Sequence, residues 1–227
     1  MSHPGARNRI RRALLAAAVL AGALVLWIAY DLARSRTHDL REFDGHEVAR
    51  LETAMWRSYY DHRQIRLFAE LSELLRRQFD LPFWQSCAGA YHAARAAVVF
   101  QRGRSHADYR LALPDLNRYY ALIRRSSTTP FAADRAASLE LEWWIVHRER
   151  NQHSPADLYA ALARLQAELY RLPEGLFAEH ARTRGDAMLL RDAAAAQRGA
   201  PSEADWRNIG TLLDRSWMSL EEVVASR

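Results

Sequence analysis

Apolar residues along this 227-residue chain fall into two patterns. Residues 13–30 read ALLAAAVLAGALVLWIAY, without a charge or a strongly polar side chain. As a helix this run is about 27 Å long, close to the hydrocarbon thickness of a bilayer. Trp27 and Tyr30 stand at one end, where aromatic rings suit the headgroup layer, and Arg7, Arg9, Arg11 and Arg12 stand at the other. After it the apolar positions recur at helical spacing, and no strand-like alternation appears.

Breaks in that periodicity divide the remainder. A long helical pattern runs from about residue 46 to 79 and ends at Leu81–Pro82, because proline suits the first turn of a new helix and disfavours helix just before itself. A second helix, 82–101, is apolar nearly all round and is expected at the centre. A third, 106–125, is kinked or split at Pro114. The fourth covers 132–151, after the loop 126–131. The fifth starts at Ser154–Pro155 and ends near Tyr170. The sixth covers 175–197, and the last begins at Ser202, with Glu203 and Asp205 in its first turn. Trp206, Ile209, Leu213, Trp217 and Leu220 give this last helix a clean amphipathic face. No fixed repeat is present.

The expected fold is therefore all-α: one N-terminal transmembrane helix followed by an irregular bundle of about six to seven helices. The divisions are a basic tail over 1–12, the anchor over 13–30, a polar connector over 31–42 and the bundle domain over 43–227. A cleavable secretory signal is the rival for the anchor, but the run exceeds a usual signal core and the following YDLARSRTHDL lacks a small-x-small cleavage site. Arginines before the run, against Arg34, Arg36 and Arg41 after it, favour the N-terminus inside and the domain outside. Every basic residue is arginine and alanine is abundant. That bias goes with GC-rich coding and hints at a bacterial source, so the membrane that residues 13–30 are expected to cross once is a bacterial cytoplasmic one.

The net charge of +5 changes meaning once it is divided. Without the four N-terminal arginines, 28 basic residues face 27 acidic ones. A nearly neutral domain lacks the basic face that phosphate neutralisation requires, so no nucleic-acid partner is expected. The single cysteine, Cys87, cannot form an intrachain disulfide and reads as a buried, inert thiol. Dinucleotide, P-loop, zinc-protease, paired-cysteine and nucleophile-elbow motifs are all missing.

What remains unusual is charge placed on aromatic helix faces. On one continuous helix from 46 to 79, Glu52, Arg63 and Glu70 share a side with Val48, Met55, Trp56 and Tyr59. Glu140 sits centrally among Ala133, Ala136, Trp143 and Trp144, with His147 two turns later. His92 and Arg95 share a face with Trp84 and Ala88. A carboxylate among apolar groups must be paired, metal-bound or protonated.

One reading is a buried polar network of Glu52, Tyr59, Arg63, His92, Arg95, Glu140 and His147, in which Arg95 or Arg63 neutralises both glutamates. The other is a transition-metal site on Glu52, Glu140 and His147, with His92 as a fourth ligand, as in di-iron carboxylate bundles. The Glu-x-x-His spacing of that class is absent, and no cofactor is expected. His180 reads as a satisfied, partly buried histidine and His62 as partly exposed. The role that follows is a membrane-anchored binding module, held in the bilayer by residues 13–30 and acting on a protein partner or on its own copy. A metal-dependent enzyme is the alternative.

Overall fold

The computed structural model describes residues 4–34 and 37–226, and side chains from residue 8 onward. Residues 1–3 of the basic tail, the side chain of Arg7, and Ser35 and Arg36 of the connector lie outside the described residues. The chain divides into two compact units, residues 1–35 and 36–227.

The first unit is the helix α1 (Pro4–Ala33). Its stretch Asn8–Ala33 has a mean hydropathy of 2.3 and is long and apolar enough to cross a membrane. Leu14, Val19, Leu20 and Leu26 are exposed along it.

The second unit is all helical, and no strand occurs among the described residues. It comprises α2 (Gly45–Tyr60), α3 (Gln64–Phe79), α4 (Phe83–Arg102), the short α5 (His106–Arg110), α6 (Leu113–Arg125), α7 (Ala133–Arg148), α8 (Pro155–Tyr170), a 3-10 turn (Glu174–Phe177), α9 (Ala178–Arg198) and α10 (Glu203–Ala225). Each long helix packs against the next: α2 on α3, α3 on α4, α4 on α6, then α7, α8, α9 and α10 in turn. α10 returns to α2, so the series closes into a ring.

The packing begins inside the segment read as a polar connector. His38 donates its backbone N–H to the Ser126 carbonyl at 2.8 Å and accepts from Thr128 N–H at 3.0 Å. Leu40 is buried, and Phe43 stands edge-to-face on Trp217 with ring centroids 6.0 Å apart.

Two helices differ from expectation in ways that move the site. The pattern over 46–79 is two helices, because His62 adopts a left-handed conformation (φ 57°) and the chain doubles back. No glycine or proline marks that turn; Arg63 N–H closes it on the Ser58 carbonyl at 2.9 Å. One continuous 100° wheel therefore does not extend past residue 60. α4, in turn, is a member of the ring and not its centre. Phe83, Tyr91 and Val98 form an exposed outer stripe, with Cys87 half-buried. Its inner side carries small residues that admit close neighbours; a Cβ on Gly89 would lie 2.9 Å from Leu75 Cδ1.

Polar groups close the helix ends. Ser154 with Asp157, and Ser202 with Asp205, form capping boxes on α8 and α10. α7 lacks a side-chain cap of its own. The buried Glu168 of α8 supplies it instead by accepting Ala132 N–H at 2.8 Å.

Gly185 of α9 carries a packing prediction. A Cβ there would lie 2.6 Å from ring carbons of Tyr159, whose hydroxyl donates to Asp186 Oδ1 at 2.5 Å. Gly185→Ala should lose about 1–3 kcal/mol to overpacking, offset by up to ~1 kcal/mol of helix propensity. Urea denaturation should show the net loss, and it should vanish in a Tyr159→Ala background.

Candidate functional site

Among the described residues, the expected site residues are divided among three separate clusters and a surface cleft, with Tyr59 in none of them.

The first cluster is inside the ring. Glu52 of α2 is 2% exposed. Its Oε1 accepts from Arg184 of α9, Nη2 at 2.6 Å and Nε at 3.1 Å, and its Oε2 accepts from Trp217 Nε1 of α10 at 2.5 Å. Arg184 lies 5.4 Å from the ring centroid of Trp143 on α7. Glu140, also on α7, accepts from Tyr120 hydroxyl at 2.8 Å and from Trp144 Nε1 at 2.9 Å. These contacts draw α2, α6, α7, α9 and α10 together, which is possible only on the inner side of a closed ring.

Arg184 faces both carboxylates. Burial opposes its charge, but Glu52 and then Glu140 outweigh that cost and raise its pKa. Burial and the Glu140 charge hold the Tyr119 and Tyr120 phenols neutral, far above the usual phenol range. The structure thus brings Glu52 and Glu140 to one centre through Arg184. Sequence alone does not single out this arginine, because its partners, Glu52 on α2 and Trp143 and Glu140 on α7, are distant from it along the chain.

The second cluster forms around Asp115 of α6, which is buried. His92 Nδ1 lies 2.9 Å from its Oδ1, Arg95 Nε 3.2 Å from its Oδ2, and Arg118 3.6 Å from Oδ1. Arg95 is thereby occupied at α4–α6 and does not neutralise Glu52 or Glu140. Asp115 follows Pro114, a position that reads as an ordinary helix start.

His147 belongs to the third cluster. Its Nε2 lies 3.1 Å from Asp192 Oδ2 on α9, where Arg150 and Arg191 also bind the same carboxylate. Burial opposes the charge of Asp192, yet the bonds from His147 and Arg191 hold its pKa below the usual carboxylate range. No group of three or more His, Cys, Asp or Glu side chains able to hold a metal ion occurs among the described residues. Glu52, Glu140 and His147 therefore do not form the ligand set considered above.

Tyr59, at the end of α2, and Arg63, past the reversal at His62, fall outside all three clusters. Tyr59 is exposed beside Tyr60, and Arg63 pairs with Asp61 on the surface at 3.3 Å.

That reversal builds a feature absent from the sequence reading. A cleft of about 350 Å³ opens between α2, the start of α3 and the start of α10. Arg50, Arg57, Arg63, Arg66 and Arg207 line it, with Glu203 as the one lining acid. Arg50 is held by Glu47, Arg57 by Glu203, and Arg66 by Glu70. Arg207 has no carboxylate partner among the described residues. The guanidinium groups are exposed, so their acid partners are exchangeable for an external anion at small cost. A near-neutral domain charge concealed this patch, since the five arginines are scattered over 158 positions of sequence.

No protein-family model matches the chain, and neither a curated protein nor a solved structure matches it significantly.

Proposed function

We propose that this chain is a membrane-tethered helical binding module whose recognition surface is the arginine cleft between α2, α3 and α10. The cleft is the observation that carries the reading: five guanidinium groups line one concavity against a single lining carboxylate. Planar, always-charged donors gathered in this way favour an anionic group, which they grip through paired N–H bonds. The three interior clusters support the same reading. Their acids already have arginine, histidine, tyrosine or tryptophan partners, so they brace the ring.

The tether is α1, a single span of a bacterial cytoplasmic membrane with the N-terminus inside and the helical domain outside. Its apolar length and the flanking arginines support this placement.

Calorimetry of the full chain in phosphatidylcholine nanodiscs, titrated with pyrophosphate, tests the cleft. Binding should be saturable and should weaken with salt. Arg57→Ala with Arg207→Ala should lower the affinity by about tenfold or more, the equivalent of about 1.4 kcal/mol. Unchanged affinity in that double variant would remove the cleft as the recognition surface.

A further inference from the structure

The turn that forms the cleft also exposes its largest apolar side chains to water. Ile65, in the first turn of α3, is 90% exposed, the highest value among the exposed large hydrophobic residues. Phe68, one helical turn further on the same face, and Tyr59, at the end of α2, are each 38% exposed. Arg63 and Arg66 flank Ile65 in sequence and line the cleft. Apolar and cationic groups thus occupy one tip, between α2 and α3.

We infer that this tip docks on an anionic bilayer surface, with lipid phosphates in the arginine cleft and Ile65 and Phe68 entering the boundary between headgroups and acyl chains. The inference rests on the cleft as an anion-binding surface and names its occupant. A soluble anion would account for the arginines but would leave Ile65 in water. An anionic membrane surface satisfies both, since basic residues draw the protein to the headgroups and apolar side chains bury beyond them. The acids at the tip set the strength of the contact. Asp61, Glu70 and Glu203 already hold Arg63, Arg66 and Arg57, so lipid phosphate must displace them, and the docking is weak and salt-sensitive.

The test uses the full chain in nanodiscs. Cys87→Ala removes the native thiol, and an environment-sensitive dye is placed at Gln64→Cys beside Ile65 or, as a control, at Ser138→Cys on α7. In discs containing phosphatidylglycerol, the dye at 64 should shift its emission to the blue and be quenched by doxyl-labelled lipid, roughly twofold or more above the dye at 138. Phosphatidylcholine discs, high salt, Ile65→Ser, or Arg63→Ala with Arg66→Ala should each abolish the difference. An aqueous spectrum at 64 in phosphatidylglycerol discs overturns the inference, and so does a signal that survives both sets of variants. If pyrophosphate still binds the cleft while the dye stays in water, the cleft stands and lipid docking falls. If neither occurs, both fall.

Discussion

Arg184→Ala should destabilise the helical unit by about 3–5 kcal/mol, because it leaves charge buried without a partner. Glu52 is 2% exposed and takes two of its hydrogen bonds from Arg184. Glu140 faces the same guanidinium. Removing the cation therefore leaves the buried Glu52 and the half-buried Glu140 without their counter-charge, with Trp217, Trp144 and Tyr120 as their hydrogen-bond donors. Glu52→Ala should cost less, since Arg184 keeps Glu140 as a counter-charge. The combination Glu52→Gln with Arg184→Met removes both charges while the amide oxygen still accepts from Trp217. It should recover at least about 2 kcal/mol relative to Arg184→Ala alone. Urea denaturation of the full chain in detergent, followed by tryptophan emission, measures all three. A loss under about 1 kcal/mol for Arg184→Ala would show that the ring does not depend on this pair.

The second large effect is a loss of stability in mild acid, centred on His180. This residue is 1% exposed on α9 and packs edge-to-face on Trp217. Its Nδ1 donates to the Ser216 carbonyl at 3.1 Å, while Ser216 Oγ donates to the His180 carbonyl at 2.9 Å. Nε2 has no partner among the described residues. Burial, aided by the nearby Arg184 charge, depresses the imidazole pKa from 6.5 to about 3. The folded protein thus keeps His180 neutral where the unfolded chain binds a proton. Its contribution to stability is complete above pH 6.5, declines as pH falls below that, and levels off near pH 3. At pH 4.5 the loss should reach about 2–3 kcal/mol, since each unit is worth about 1.4 kcal/mol. His180→Gln should flatten that slope while retaining a side-chain donor. Denaturation midpoints between pH 7 and 4.5 measure the difference, and equal slopes in the two proteins would exclude the assignment.

Local spacing was enough to locate the apolar span and most helix ends. Pro82, Pro114, Pro155 and the serine caps at 154 and 202 act on their own neighbours, and the observed helices begin or divide at those points. The reversal at His62 left no such mark, because a left-handed residue flanked by polar side chains resembles a helix interior in sequence. That one turn breaks the shared phase within 46–79 and carries Arg63 to the surface, where it pairs with Asp61.

The sequence by itself determined that the chain is helical, that residues 13–30 are apolar enough to span a bilayer, and that Glu52 and Glu140 lie on aromatic helix faces. These follow from periodicity and composition, which are properties of neighbouring residues. Only the tertiary structure decided which cation meets which acid. Arg184 is 132 residues from Glu52, and Arg207 is 144 residues from Arg63 in the same cleft. Such pairings arise when a ring of helices closes, because closure and not chain order sets which faces look inward together.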